Sequence, residues 1–289
     1  MKKVLAVVFL IITLLFGLGL LFYPDISNWY NSRIQSGLIE EFEEQVAELD
    51  YEYIAEHIRR AREYNDSISG LNIQDPFVSG SGAVLPPAHY LETLNIGGLM
   101  AHVRIPVINV HLPVFHTTTA EVLDRGVGHI EGTSFPVGGI GTHSVLTGHS
   151  GLAHAHMFND LEDVEYGDLF FITVLNYTLA YEVDQIRTVL PHEIELVRIF
   201  ENEDFVTLIT CTPYAVNTHR LLVRGRRVDY VEGMEDEIIV RETGNIDWRF
   251  IIIGIIVILF IIFIIIYKRR ERKKEKHRRE FRAQYRSEE

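Results

Sequence analysis

The run Phe205-Val206-Thr207-Leu208-Ile209-Thr210-Cys211-Thr212-Pro213 closes on the only cysteine of the chain. Its β-branched and apolar residues read as a strand, punctuated by proline. A second strand-like run follows from Arg220 to Val228, and alternation puts Arg220, Leu222 and Arg224 on one of its faces. Upstream, Leu146-Thr147-Gly148-His149-Ser150-Gly151 sets a histidine between turn-forming glycines. A lone Cys, a His and an Arg in such settings point to nucleophilic thiol chemistry on an acyl group.

Working outward, Met100–Val110, Ser144–Thr147, Leu169–Val174 and Leu179–Val189 are further short runs of β-formers. Gly138-Gly139-Ile140-Gly141 and Tyr166-Gly167-Asp168 punctuate them. Strands at this spacing predict a mainly β fold, closed or sandwiched. Before them, Ile34, Leu38, Phe42, Val46, Leu49 and Tyr53 recur at three- and four-residue spacing, predicting a helix over about 34–64. Between helix and strands, Asp75-Pro76-Phe77, Ser79-Gly80-Ser81-Gly82 and Pro86-Pro87 are loop chemistry. Loops beyond about 12–15 residues commonly have a function.

Two apolar segments bracket the chain. Val4–Tyr23 is twenty residues without a charge and Phe250–Tyr267 is eighteen, mostly isoleucine. At about 1.5 Å rise per residue, each is long enough to cross a hydrocarbon core of roughly 30 Å. Trp248 and Tyr267 stand at the ends of the second as interfacial aromatics. Lys2 and Lys3 also suit a signal peptide, but the long apolar run and the missing small-residue cleavage site favour an uncleaved anchor. The tail from Lys268 to Glu289 carries eleven Lys or Arg against five acids, so basic flanks put both termini in the cytoplasm and the middle outside. That tail reads as a topology signal rather than a nucleic-acid binder.

From Pro24 to Ile246 the chain has thirteen Arg, thirty-four Asp or Glu and no Lys, a formal charge of −21. The simpler reading is a solvated acidic surface, ahead of the alternative that an enzyme handing acyl groups to lysines offers none of its own. One cysteine permits no internal disulfide, so the outer portion must be held by a packed core. An exterior thiol without a partner is a liability unless it has work to do. His154-Ala155-His156, with His143 and His149 nearby, is weak as a metal signature because no carboxylate partner is evident. No P-loop or GxGxxG fingerprint occurs, and no cofactor or metal is expected.

A thiolate attacking an amide forms a thioester through an anionic intermediate that needs donors aimed at its oxygen. Cys211, His149 and Arg220 suit the roles of nucleophile, acid/base and oxyanion or positioning donor. The segments TLITCTPYAVNTHRLLVRGRR (207–227) and GVGHIEGTSFPVGGIGTHSVLTGHSG (126–151) resemble the sortases, membrane-bound cysteine transpeptidases of Gram-positive bacteria. The resemblance covers about Gly97 to Tyr230. It implies an eight-stranded closed β-barrel with N-terminal helices, and Cys211, His149 and Arg220 as a catalytic triad.

Asp75-Pro76-Phe77, the Asn217-Thr218-His219-Arg220 context and the second apolar segment resemble the class C, pilus-building branch. That resemblance implies a lid in which Asp75 engages Arg220 and Phe77 covers Cys211, with Phe where Trp is common. It also implies the substrates: pilin subunits with LPxTG-like sorting signals and an acceptor lysine. The alternatives are a housekeeping sortase anchoring proteins to peptidoglycan and a non-catalytic pilus-assembly scaffold. The expected organisation is an anchor or signal (1–23), a helical region (24–66), a lid loop (67–90) and a catalytic barrel (91–231). A juxtamembrane linker (232–248), a transmembrane helix (249–267) and a basic tail (268–289) follow, so transmembrane helices flank the barrel.

Overall fold

The computed structural model describes residues 2–68, 75, 77, 88–152, 154–241 and, further on, 251–256, 258–260, 262–263, 265–266, 269–270 and 272–273. Eight strands close a barrel: β1 (Ala101–Ile105), β2 (Val110–His116), β3 (Val127–His129), β4 (Thr142–Thr147), β5 (Leu169–Val174), β6 (Tyr177–Val189), β7 (Asp204–Thr212) and β8 (His219–Val228). Their order around the barrel is β1-β2-β3-β4-β7-β8-β6-β5. Most pairs are antiparallel, but β2–β3 and β4–β7 are parallel. The parallel β4–β7 pair matters most: it ends β4 and β7 at the same pole, so the segment after Thr147 emerges beside the segment holding Cys211.

The core follows strand alternation. Leu146 pairs with Leu208, which pairs with Val223, and all three are buried in the barrel interior. Closure also requires Gly225, since a Cβ there would lie 2.4 Å from the Phe170 ring. The other parity is apolar as well. Val145, Ile209 and Leu222 join Ile130, Val189 and Val197 in a separate cluster, against which Phe77 packs. A strand covered on both faces reads as a continuous apolar run, which explains why Phe205–Ile209 shows little alternation. Cys211 shares parity with Ile209, and Arg220 with Leu222. Both functional candidates therefore lie with the second cluster rather than in the barrel interior.

Two corrections to the sequence reading concern elements. The expected helix over about 34–64 is two helices, α1 (Lys2–Ala47) and α2 (Tyr51–Ser67). Asp50 breaks them, its Oδ1 accepting from Tyr53 N at 2.6 Å as the N-cap of α2. The buried positions of α1 are Gln35, Ile39, Phe42 and Val46, so the expected stripe is shifted at its start. Gln35 is buried because its Nε2 donates to the Arg125 carbonyl at 3.1 Å and contacts Met157 Sδ at 3.3 Å. The single run expected at Met100–Val110 is β1 and the start of β2, separated by a 3-10 turn at Pro106–Ile108. β3, three residues long, was not expected.

α1 also runs unbroken from the first apolar segment into the packed region, and its N-terminal part is long and apolar enough to cross a membrane. The chain divides into two units, Met1–Glu242 and Thr243–Glu289. In the second, the described residues between 251 and 273 are helical. Trp248, Tyr267 and residues 274–289 lie outside the described residues, as do Pro76, Ser79–Gly82 and Pro86-Pro87 of the loop.

Candidate active site

Cys211 and Arg220 are register partners across β7 and β8, and both are buried. His149 arrives from the other side. Gly148 N donates to the Ile209 carbonyl at 3.1 Å, and Thr210 Oγ1 donates to the Gly148 carbonyl at 2.8 Å. These bonds extend the β4–β7 ladder past Thr147 and carry His149 to the level of Cys211. Gly148 has to be glycine for this path, because a Cβ would come 2.9 Å from the fully buried Phe158 ring. Ser150 Oγ donates to the Cys211 carbonyl and stitches the far side of the histidine loop to β7.

Arg220 is fixed in two directions. Its Nη1 donates to the carbonyls of Asn217 at 3.1 Å and His219 at 3.0 Å, which sets the guanidinium plane. Its Nε and Nη2 donate to the Asp75 carboxylate at 3.1, 3.1 and 2.8 Å, a charge-assisted fork. Asp75 Oδ1 also accepts from Phe77 N at 3.1 Å, turning the loop sharply. The Phe77 ring then lies 5.3 Å from His149 and 5.1 Å from the Arg220 guanidinium carbon. Asp75 is thus paired with Arg220, and the Phe77 ring lies against His149 and the Arg220 guanidinium.

The electrostatics are those of a closed site. Burial pushes the Cys211 thiol up to about 11; Arg220 works against this and Asp75 adds to it. Burial likewise lowers His149, with His154 in the same direction and Asp124 opposing. With the loop in place, both groups favour their neutral forms at neutral pH, and a thiolate–imidazolium pair is disfavoured at rest.

A family model described as the sortase domain matches residues 103–228. Sortase C-1 from Streptococcus pneumoniae matches with a TM-score of 0.64 at 43% identity, covering 67% of this chain and 98% of that one. The chain belongs to the sortase family. Sortase C-1 from Actinomyces oris is similar at a TM-score of 0.59 and 45% identity, over 62% of this sortase and 99% of that chain. Sortase D of Bacillus subtilis (strain 168) is 26% identical over 140 residues, 47% of this sortase and 66% of that protein, just under two thirds of its length.

Around the site, this sortase uses residues that sequence reading passed over. Ser150 is one. Glu162, in the 3-10 turn Asn159–Asp163, receives the Thr212 hydroxyl beside Cys211, and Asn159 Oδ1 accepts from Gly151 N at 2.7 Å. Nothing in spacing marks them, because they act across fifty or more residues of sequence or through single side-chain bonds. His143 belongs to the frame: its ring nitrogens contact the Arg198 carbonyl and Thr207 Oγ1, both at 2.7 Å, and burial lowers its pKa to about 4. His156 faces Asp160 at 3.5 Å. Among the described residues, no group of three or more His, Cys, Asp or Glu is placed to hold a metal ion.

Proposed function

We propose that this chain is a class C sortase, a membrane-bound cysteine transpeptidase that joins pilin subunits. The observation that carries the reading is the buried Cys211–Arg220 register pair, with His149 at the same pole and Asp75 occupying the Arg220 fork. Its solved relatives support the class; one is a sortase C1 of a pilus island.

In this reading, with the lid open, His149 takes the Cys211 thiol proton and the thiolate Sγ attacks the threonine carbonyl carbon of an LPxTG-like sorting signal. The carbonyl π electrons move to oxygen, and the free Arg220 Nε–H and Nη2–H meet the resulting oxyanion. The Asp75 carboxylate now fills the place of that anion. His149, as imidazolium, protonates the leaving glycine amine as the C–N bond breaks and the thioester remains. A pilin lysine ε-amine then attacks the thioester, His149 takes its proton, and Cys211 leaves as thiolate. The product is an intersubunit isopeptide bond. The outer cluster of Ile130, Val145, Val189, Val197, Ile209 and Leu222 gives the apolar part of the signal a floor once Phe77 withdraws.

Asp75, Pro76 and Phe77 act as a lid with two consequences. It excludes solvent and substrate from Cys211, and it neutralises the cation that would favour the thiolate. Opening removes the carboxylate and admits water, so access and nucleophilicity rise together. The apolar helix α1 anchors the chain, and with the second apolar segment it leaves both termini in the cytoplasm. The test is incubation with an LPxTG peptide and a lysine-bearing pilin. A lysine-linked product absent in Cys211→Ala is expected. Transfer to a glycine amine alone would favour wall anchoring, and no product in any variant would leave only a scaffold.

A further inference from the structure

The pole of the barrel that holds Cys211 is tied to the membrane-proximal part of α1. Asn31 Nδ2 donates to the His154 carbonyl, and Gln35 binds the Arg125 carbonyl and Met157. The loop bearing His154 runs on from His149, and its Gly151 abuts Ala215 in the β7–β8 loop, 3.3 Å from a Cβ position to Ala215 N. Asn31 is eight residues beyond Tyr23, the end of the first apolar segment. At 1.5 Å per residue this is about 12 Å of helix, against a headgroup layer of roughly 5–8 Å on each side of the hydrocarbon core.

The surface at this pole differs from the rest of the molecule. From Ile26 to Ile39, α1 carries one charged residue, Arg33, and its guanidinium lies 5.8 Å from the Trp29 ring centroid. Ile26, Trp29 and Tyr30 are exposed there, on the arc turned away from the buried Gln35, Ile39 and Phe42. The tip of the β7–β8 loop exposes Tyr214 (54%) and Val216 (64%). Neither 149–159 nor 213–218 contains an acid, although the outer domain has thirty-four. Acids on α1 resume only at Glu40.

We infer that this rim is a lipid-facing surface: Ile26 on α1 lies in the headgroup layer, and Trp29 and Tyr30, with Tyr214 and Val216 on the β7–β8 tip, rest against its outer edge. Tyrosine and tryptophan favour the membrane boundary, and the carboxylate-free stretches 26–39, 149–159 and 213–218 weaken repulsion from an anionic bilayer relative to the rest of the domain, with Asp124 and Asp160 at the edge of this pole. The mouth of the Cys211 site then opens beside the membrane surface, where a membrane-held substrate presents its sorting signal. This inference rests on α1 being a membrane anchor; continuity with that anchor is what identifies lipid as the occupant, rather than a second copy or a peptide.

The test places one tryptophan at a time in the full chain, with Trp29 and Trp248 replaced by Phe. Tyr214→Trp and Val216→Trp report the rim. Ile140→Trp, also at an exposed site, reports the opposite pole, where Gly141 N bonds the Glu203 carbonyl just before β7. Each protein is reconstituted in phosphatidylglycerol/phosphatidylcholine vesicles with a nitroxide on a fraction of the headgroups. The expected result is several-fold stronger quenching at 214 and 216 than at 140. Equal quenching at the two poles, or a stronger effect at 140, in protein that floats with the vesicles would overturn the orientation and leave the anchor standing. Protein that fails to float would overturn both, and neither outcome depends on transpeptidase activity.

Discussion

Asp75 holds Arg220 by three N···O contacts between 2.8 and 3.1 Å, with both side chains more than nine-tenths buried. A buried ion pair of this kind is strongly destabilised when one partner is lost from a rigid site, by about 3–5 kcal/mol. Asp75 is on a loop, however, so the strain is relieved by the loop leaving rather than by the barrel unfolding.

Asp75→Ala and Phe77→Ala should therefore expose Cys211. Labelling by a small thiol reagent is expected to accelerate by at least about tenfold, with little change in melting temperature. Unchanged labelling rates would reject the lid.

The pH dependence of that labelling tests the electrostatics. In the wild type, thiolate should keep increasing with pH towards about 11, the value burial imposes, whereas an ordinary thiol levels near 9. Removing Asp75 takes away a charge that raises the thiol and admits water, so the Asp75→Ala profile should bend at lower pH. The same shift has a stability consequence. The folded state keeps a proton that the unfolded state has lost, so the Cys211 contribution is complete below about 9 and disappears as pH rises through about 11.

Arg220→Lys separates two roles of one side chain. A lysine cannot supply the planar fork that binds Asp75, so the lid should loosen and labelling should quicken. Turnover should nevertheless fall, by about 100-fold, because the paired donors for the oxyanion are gone. Faster labelling together with faster turnover would contradict the proposed role.

Gly148→Ala tests how the histidine loop is built. A methyl there meets the Phe158 ring, and Phe158 has no exposed side on which to yield. The expected outcome is destabilisation by about 1–3 kcal/mol and a loss of turnover as His149 moves, measured by thermal melting and peptide transfer.

Acid should destabilise the domain through its buried histidines, those of the frame beside His149 of the site. Burial lowers His129 to about 3 and His143 to about 4, and His129 is held neutral between Tyr90 Oη, 2.9 Å from Nδ1, and the Ser134 carbonyl, 2.8 Å from Nε2. Unfolding lets both take protons below about 6.5, so stability should fall with decreasing pH by about 2–3 kcal/mol per unit between there and about 4. Replacing His143 with Gln should reduce that slope.

The site was legible because its chemistry sits in compact strings. Cys211 and Arg220 flank one hairpin, and Thr147-Gly148-His149 ends a strand, so local patterns carried them. What the sequence concealed depends on distant pairing. β3 is held between the parallel β2 and the antiparallel β4, and three residues are too few for an alternation signal. The break between α1 and α2 was hidden because Leu49 and Tyr53 continue the apolar spacing across the Asp50 cap. Gln35 looked like a surface residue; only its bond to the Arg125 carbonyl, ninety residues away, explains its burial.

The most direct test of the account is intact-mass analysis of the soluble middle, residues 24–246, after mixing with an LPxTG peptide. Wild type, Phe77→Ala and Cys211→Ala would be compared at equal concentration. A thioester adduct on Cys211 is expected, more abundant in Phe77→Ala than in wild type and absent in Cys211→Ala. An adduct that persists in Cys211→Ala, or none even with the lid residue removed, would contradict it.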